Sequence, residues 1–158
     1  MRHVRIHPRT LGYLGRALSL ELSAVQQYMT QASLAEAWGL TEAATRFREE
    51  TVEEMKHAER IIQRMLILGV APNASQLRPA GVARNLVDLL RQDAVLEAEI
   101  IALYQEAVTF CLRIGDQTNG EFFQGLLQDE TVHAQELEQW LIALGVPRVQ
   151  DRNERAYF

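Results

Sequence analysis

The stretch Glu54-Met55-Lys56-His57 places a carboxylate and an imidazole three residues apart. On an α-helix that spacing sets both on one face, about one turn from each other. Phe47, Glu50, Ile61, Met65 and Leu68 continue the same face at three- and four-residue steps. Three consecutive members of this core stripe, Glu50, Glu54 and His57, are ionisable, and such groups are costly to bury unless something binds them. The device recurs at Glu130-Thr131-Val132-His133, within the stripe Phe123, Leu126, Leu137, Trp140 and Leu144. One copy is a weak signal; two in one chain point to a pair of metal-ligating helices.

Two further helices complete the pattern. Pro8 suits a first helical turn, and Leu11, Leu14, Leu18, Glu21, Val25, Tyr28, Ala32 and Ala35 follow it as one stripe until Gly39. Thr41 is the expected N-cap of the second helix, which stops at Gly69. Residues 69–81 contain Pro72, Asn73, Ser75 and Pro79 and read as an irregular connection. Nearly extended, those thirteen residues reach about 40 Å, close to the length of a long helix. The connection can therefore run back along the bundle and leave the second and third helices parallel. The third helix is expected from Gly81 to near Gly115, with Leu86, Leu90, Asp93, Glu97, Ile100, Tyr104, Ala107 and Cys111 inward. Asp116 can cap the fourth, which ends at Gly145. The fold class is all-α. The chain reads as one domain, a four-helix bundle over about 8–145 with a long crossover between helices two and three. A short irregular, charged tail over 146–158 follows.

The bundle is one hairpin used twice. Glu21 to Glu54 is 33 residues, as is Glu97 to Glu130, and Tyr28 and Tyr104 each follow the first Glu of their half by seven. Equal steps from a shared turn mean equal height on antiparallel helices, about 27 Å from the tip. Glu21 thus faces Glu54 and His57, and Glu97 faces Glu130 and His133. A pseudo-twofold stacking of the hairpins gathers all six at mid-bundle. Four carboxylates balance two divalent cations, and without cations so many buried carboxylates would take up protons. Mixed nitrogen and oxygen ligation fits iron or manganese, with zinc possible. One Glu from each of two helices plus Glu-x-x-His from the other two is the arrangement of ferritin-like di-iron and di-manganese carboxylate bundles.

Composition narrows the function classes. The chain has 158 residues, 47% of them hydrophobic, and a net charge of −5, which argues against a nucleic-acid binder working through a positive face. Cys111 is the only cysteine, so no intrachain disulfide exists and a reducing, cytoplasmic setting is expected. No apolar run approaches the ~20 residues of a membrane span, and the basic start lacks the apolar core of a secretion signal.

The segment Glu49-Glu50-Thr51-Val52-Glu53-Glu54-Met55-Lys56-His57-Ala58-Glu59-Arg60 closely resembles bacterioferritin. So do Leu20-Glu21-Leu22-Ser23-Ala24-Val25-Gln26-Gln27-Tyr28, Trp38-Gly39-Leu40 and Asp129-Glu130-Thr131-Val132-His133, and the likeness spans about residues 11 to 144. The resemblance implies a ferroxidase centre at Glu21, Glu54, His57, Glu97, Glu130 and His133. In it Glu54 and Glu130 bridge two irons, and Glu21 with His57 and Glu97 with His133 are terminal. It implies a 24-subunit homo-oligomeric cage that oxidises Fe(II) with O2 or peroxide and stores ferric mineral, served by a ferredoxin-type reductant. It further implies haem b at a twofold subunit interface between two copies of Met55, which helical geometry places on a different face from Glu54, with Val52 and near Leu22, Val25 and Met29. The departure is at the C-terminus. The family usually ends in a short fifth helix lining a fourfold pore, and here Gly145, Val146 and Pro147 precede a short charged remainder.

Other residues carry plainer readings. Tyr28 is a core aromatic beside the metals and a possible electron donor, whereas Tyr104 is expected only to pack. Asp93 and Glu50 lie one turn from ligands and either orient an imidazole, pass iron inward or face a groove. His3 and His7 read as solvated tail residues, Cys111 as a small core residue, and the acidic residues of 42–59 as a solvated helix face. Two rivals stay open: a di-iron or di-manganese oxidase or peroxide scavenger that stores nothing, and a haem-binding electron carrier or cage subunit with a silent di-metal site.

Overall fold

A computed structural model describes residues 5–72 and 75–148. They form four helices, α1 Pro8–Ala37, α2 Thr41–Ile67, α3 Leu86–Arg113 and α4 Gln117–Ala143, and no strand. All four helices end in the same way. A glycine takes a left-handed φ of +76° to +86°, at Gly39, Gly69, Gly115 and Gly145. The next backbone N–H then reaches back to a last-turn carbonyl: Leu40 to Ala35, Val70 to Met65, Asp116 to Cys111 and Val146 to Leu141. This closure satisfies carbonyls that the helix end would leave bare, at a conformation that suits glycine.

The starts vary more. Pro8 occupies the first turn of α1, and His7 caps it, its Nδ1 accepting from the Arg9 N–H at 3.1 Å. His7 also packs edge-on to Phe110 at 4.9 Å, so it is a capping residue as well as an exposed one. His3 lies outside the described residues. Thr41 is not the cap of α2: it is the first helical residue, and Leu40 precedes it with no side-chain cap bond. Only residues 38–40 separate α1 from α2, and the glycine closure uses Leu40, which leaves no place for a separate cap. The start of α3 is displaced from Gly81 to Leu86, where the Asn85 side chain accepts from the Asp88 N–H at 2.9 Å. Asp116 caps α4 as expected, accepting from the Asn119 N–H at 3.2 Å.

The short connections make α1–α2 and α3–α4 antiparallel hairpins. The crossover between them is tied to α1 by two backbone donors, Gln76 N–H to Ser19 Oγ and Arg78 N–H to Ser23 Oγ, each 3.0 Å, and Arg78 pairs with Glu99 of α3. Residue 21 of α1 meets residue 104 of α3 while residue 28 meets 97, so these two helices are antiparallel and α2 and α3 are parallel. Between the hairpins lies a core of Tyr13, Leu14, Leu18, Phe47, Ile61, Leu89, Leu90, Ile100, Phe123 and Leu126. The inward stripes hold along most of their length. Leu144 departs, being exposed because it follows the last turn of α4. Residues 146–148 are non-helical, and the rest of the tail, 149–158, lies outside the described residues.

Candidate metal centre

The matched heights of the two hairpins bring the six predicted side chains to one level. Glu21 stands on α1, Glu54 and His57 on α2, Glu97 on α3, and Glu130 and His133 on α4. They fall into two overlapping groups, Glu21, Glu54, His57 and Glu130, and Glu54, Glu97, Glu130 and His133. Within each group one donor atom per residue lies within 4.8 Å of all the others. Glu54 and Glu130 belong to both. Glu54 sends Oε1 to His133 Nδ1 at 3.0 Å and Oε2 to His57 Nδ1 at 3.2 Å. Glu130 does the same in reverse, with Oε1 2.8 Å from His57 Nδ1 and Oε2 3.7 Å from His133 Nδ1. The imidazoles lie nearly parallel, 5.5 Å between centroids.

The residues fit a pair of cations. Glu21, Glu54 and Glu130 are wholly buried, and Glu21 Oε2, Glu97 Oε2 and Glu130 Oε2 have no hydrogen-bond partner. Bare buried carboxylate oxygens cost free energy that a divalent cation removes. Lacking one, the cluster holds protons. Burial, followed by the neighbouring Glu21 charge, pushes Glu54 up to about 8. Burial, followed by a bond shared with Glu130, pushes Glu97 well above the usual range. Burial opposes charge on the imidazoles, but bonds to Glu130 and Glu54 raise His133 to about 11, and bonds to Glu130, Glu21 and Glu54 raise His57 further.

These raised groups bind more protons folded than unfolded, so their contribution to the stability of the metal-free chain is lost as pH rises, whereas Glu21, held down by bonds to Glu54 and His57 against its burial, acts in the opposite sense. The window for Glu54 runs from 4.5 to about 8 and that for His133 from 6.5 to about 11. A cation needs the same groups deprotonated and binds better as pH rises. The melting-temperature gain from saturating Mn2+ should therefore be larger at pH 8 than at pH 5.5. With metal about a hundred-fold above its Kd the gain is about 2.7 kcal/mol, roughly 5–10 °C for a domain of this size. A gain that is equal at the two pH values, or larger at pH 5.5, would show that the cation binds elsewhere.

A family model described as Ferritin-like domain matches residues 11–144. The bacterioferritin of Rhodobacter capsulatus is 37% identical over 130 residues, covering 82% of this chain and 81% of that protein. That of Brucella melitensis is 36% identical over 131 residues, covering 83% and 81%. The chain belongs to the bacterioferritin family. A solved structure of Rhodobacter capsulatus bacterioferritin superposes with a TM-score of 0.84 at 34% identity, over 89% of this chain and 88% of that one. It is described as having a metal-free dinuclear site and a haem iron in a crystallographic special position.

Around the six residues this bacterioferritin-family chain adds contacts that its sequence does not advertise. The Tyr28 hydroxyl donates to Glu97 Oε1 at 2.7 Å. Tyr104, expected only to pack, makes the equivalent bond to Glu21 Oε1 at 2.5 Å. The seven-residue offset shared by the two tyrosines was the available signal. Burial, then the adjacent carboxylate charge, raises both phenols well above 10 and keeps them neutral. Asp93 is buried, and its Oδ1 accepts from Gln27 Nε2 and Gln31 Nε2, both at 2.7 Å; burial raises it to about 7 despite those bonds. Glu50 Oε2 lies 3.8 Å from His133 Nδ1, and a cavity of ≈ 20 Å³ lined by Tyr28, Glu50, Asp93 and His133 joins these groups. His57 Nε2 faces Asp129 Oδ2 at 3.4 Å, itself held by Arg60 at 2.8 Å. A carboxylate behind an imidazole fixes its ring orientation. Cys111 is buried, with Sγ 3.9 Å from Thr10 Oγ1. Met55 lies apart from the centre, 53% exposed on the outside of α2 beside Val52 at 50%, with Met29 of α1 at 54%.

Proposed function

We propose that this chain is a ferroxidase and iron-storage subunit. The observation that carries the reading is the pair of overlapping donor groups sharing Glu54 and Glu130. Glu21 with His57 would hold one ferrous ion and Glu97 with His133 the other, while each shared carboxylate offers one oxygen to either side. Bound there, two Fe(II) supply two electrons, enough to take O2 to hydrogen peroxide or hydrogen peroxide to water. The chain's own groups set the conditions for that transfer. Four carboxylates neutralise two divalent cations, and the surrounding apolar core excludes bulk water. Asp129 orients His57, and the two tyrosine hydroxyls each occupy one oxygen of a terminal carboxylate, leaving the other free. Tyr28 is also placed to donate an electron. Manganese or zinc suits the same donors, and only a redox-active metal turns over.

Storage requires an enclosed space, which one bundle lacks. We read residues 1–158 as one domain, its bundle over about 8–145, of a homo-oligomer, a 24-subunit cage built of twofold dimers and emptied with help from a ferredoxin-type reductant in the cytoplasm. Among the described residues no helix is long and apolar enough to cross a membrane. The exposed methionines and valine on the α1–α2 face support a dimer contact. Met55 stands outward on α2, and two Met55 thioethers brought together across a twofold would hold haem b.

The test is size-exclusion with light scattering after aerobic Fe(II) addition, with iron and haem measured in the same peak. A particle of about 24 chains retaining ferric iron well beyond two per chain is expected, and Met55→Leu should remove the haem absorbance while iron loading persists. A small dimer holding two metals per chain would favour an oxidase without storage.

A further inference from the structure

Tyr104 and Tyr28 make matching contacts on opposite halves of the centre. Each hydroxyl donates to one oxygen of a terminal carboxylate, Glu21 at 2.5 Å and Glu97 at 2.7 Å. In each case the other oxygen, Glu21 Oε2 or Glu97 Oε2, has no partner. One oxygen is thus committed to a phenol and the other is free for a cation. Both rings are buried, and each leans on one phenylalanine, Tyr104 on Phe123 at 6.2 Å and Tyr28 on Phe47 at 6.4 Å.

We propose that Tyr104 is a second one-electron donor, and that Tyr104 and Tyr28 together raise the two electrons of the iron pair to the four that convert O2 to water. The inference rests on the ferroxidase reading above. Two Fe(II) lose one electron each. Each phenol loses one electron and its O–H proton, which crosses the existing hydrogen bond to Glu21 or Glu97 and is handed on to the reduced oxygen. With two more protons from solvent, one O2 becomes two waters, leaving two Fe(III) and two neutral tyrosyl radicals. Without the phenols, the same two Fe(II) take O2 only to hydrogen peroxide. Moving proton with electron matters in this setting. A phenol cation stranded in the core would pay the full cost of an unpaired buried charge, and the carboxylate at hydrogen-bond distance removes that cost.

The experiment uses the assembled protein, two Fe(II) per chain and air-saturated buffer, with rapid freeze-quench electron paramagnetic resonance and a peroxide assay on the same samples. Phenylalanine keeps the ring packing, so Tyr104→Phe should fold normally. Its integrated tyrosyl-radical signal should fall about two-fold, as should that of Tyr28→Phe, and the double variant should show none. Peroxide should rise from near zero in the wild type to about one per two Fe(II) in the double variant. A change in radical yield is a readout that a purely steric role for Tyr104 would not produce. If Tyr104→Phe oxidises iron with the wild-type radical and peroxide yields, the second donor is excluded and the ferroxidase reading stands. If the wild type fails to oxidise Fe(II), both fall.

Discussion

Glu54→Ala should slow aerobic Fe(II) oxidation by about a hundred-fold or more, because it removes a donor from both proposed metal positions at once. Glu54 contacts His57 and His133 through different oxygens and belongs to both donor groups. Its loss leaves Glu130 as the only shared carboxylate and makes the cluster one negative charge short of balancing two divalent cations. Burial raises Glu54 to about 8, so the substitution also deletes a group that weakens the metal-free fold near neutral pH. The variant should therefore stay folded while losing the Mn2+-dependent gain in melting temperature. Glu59→Ala, on the exposed side of the same helix, is the control and should oxidise iron like the wild type. The measurement is the growth of ferric absorbance after mixing with Fe(II). Equal rates for Glu54→Ala and wild type would refute the assignment.

The second large effect is structural. Phe123→Ala should destabilise the metal-free chain by about 3–5 kcal/mol, the usual cost of emptying a buried aromatic site. Phe123 is wholly buried and makes ring contacts with Phe122 at 5.6 Å, Tyr104 at 6.2 Å and Tyr13 at 6.3 Å. It thus joins α4 to both α3 and α1, and no single neighbour can relax to fill the space. At roughly 2–4 °C per kcal/mol for a domain of this size, the melting temperature should fall by about 10 °C. Circular dichroism melts decide it, and a shift below about 3 °C would mean that this part of the core is looser than its packing implies. Because Tyr104 leans on Phe123, the same variant should weaken the Tyr104–Glu21 bond.

Much of this was legible before any coordinates. A helix is a local object, and its period of 3.6 residues converts sequence spacing into a shared face without knowledge of neighbours. That is why the four helices, their glycine ends and the crossover can be read from the chain, and why Glu54 with His57 and Glu130 with His133 announce themselves. The internal repeat adds one non-local fact, equal distance from two turns, which predicts that Glu21 and Glu97 stand at the same level. The structure brings these six side chains together; that they hold metal is our proposal. The two displaced helix starts are also local matters. Thr41 looked like a cap, but the glycine closure of α1 had already claimed Leu40, and Gly81 looked like a start, but Asn85 supplied a better one.

The chain by itself determined an all-α bundle with a doubled Glu-x-x-His pattern, since helical period and charge in an apolar stripe need only adjacent residues to be seen. Tertiary structure alone decided the partners across helices: Tyr104 with Glu21, Gln27 and Gln31 with Asp93, and Asp129 with both His57 and Arg60. Those contacts depend on the rotation and axial offset of one helix against another. Such offsets are set by how whole faces pack, to within a fraction of a side chain's length, and no spacing along one strand of sequence encodes them.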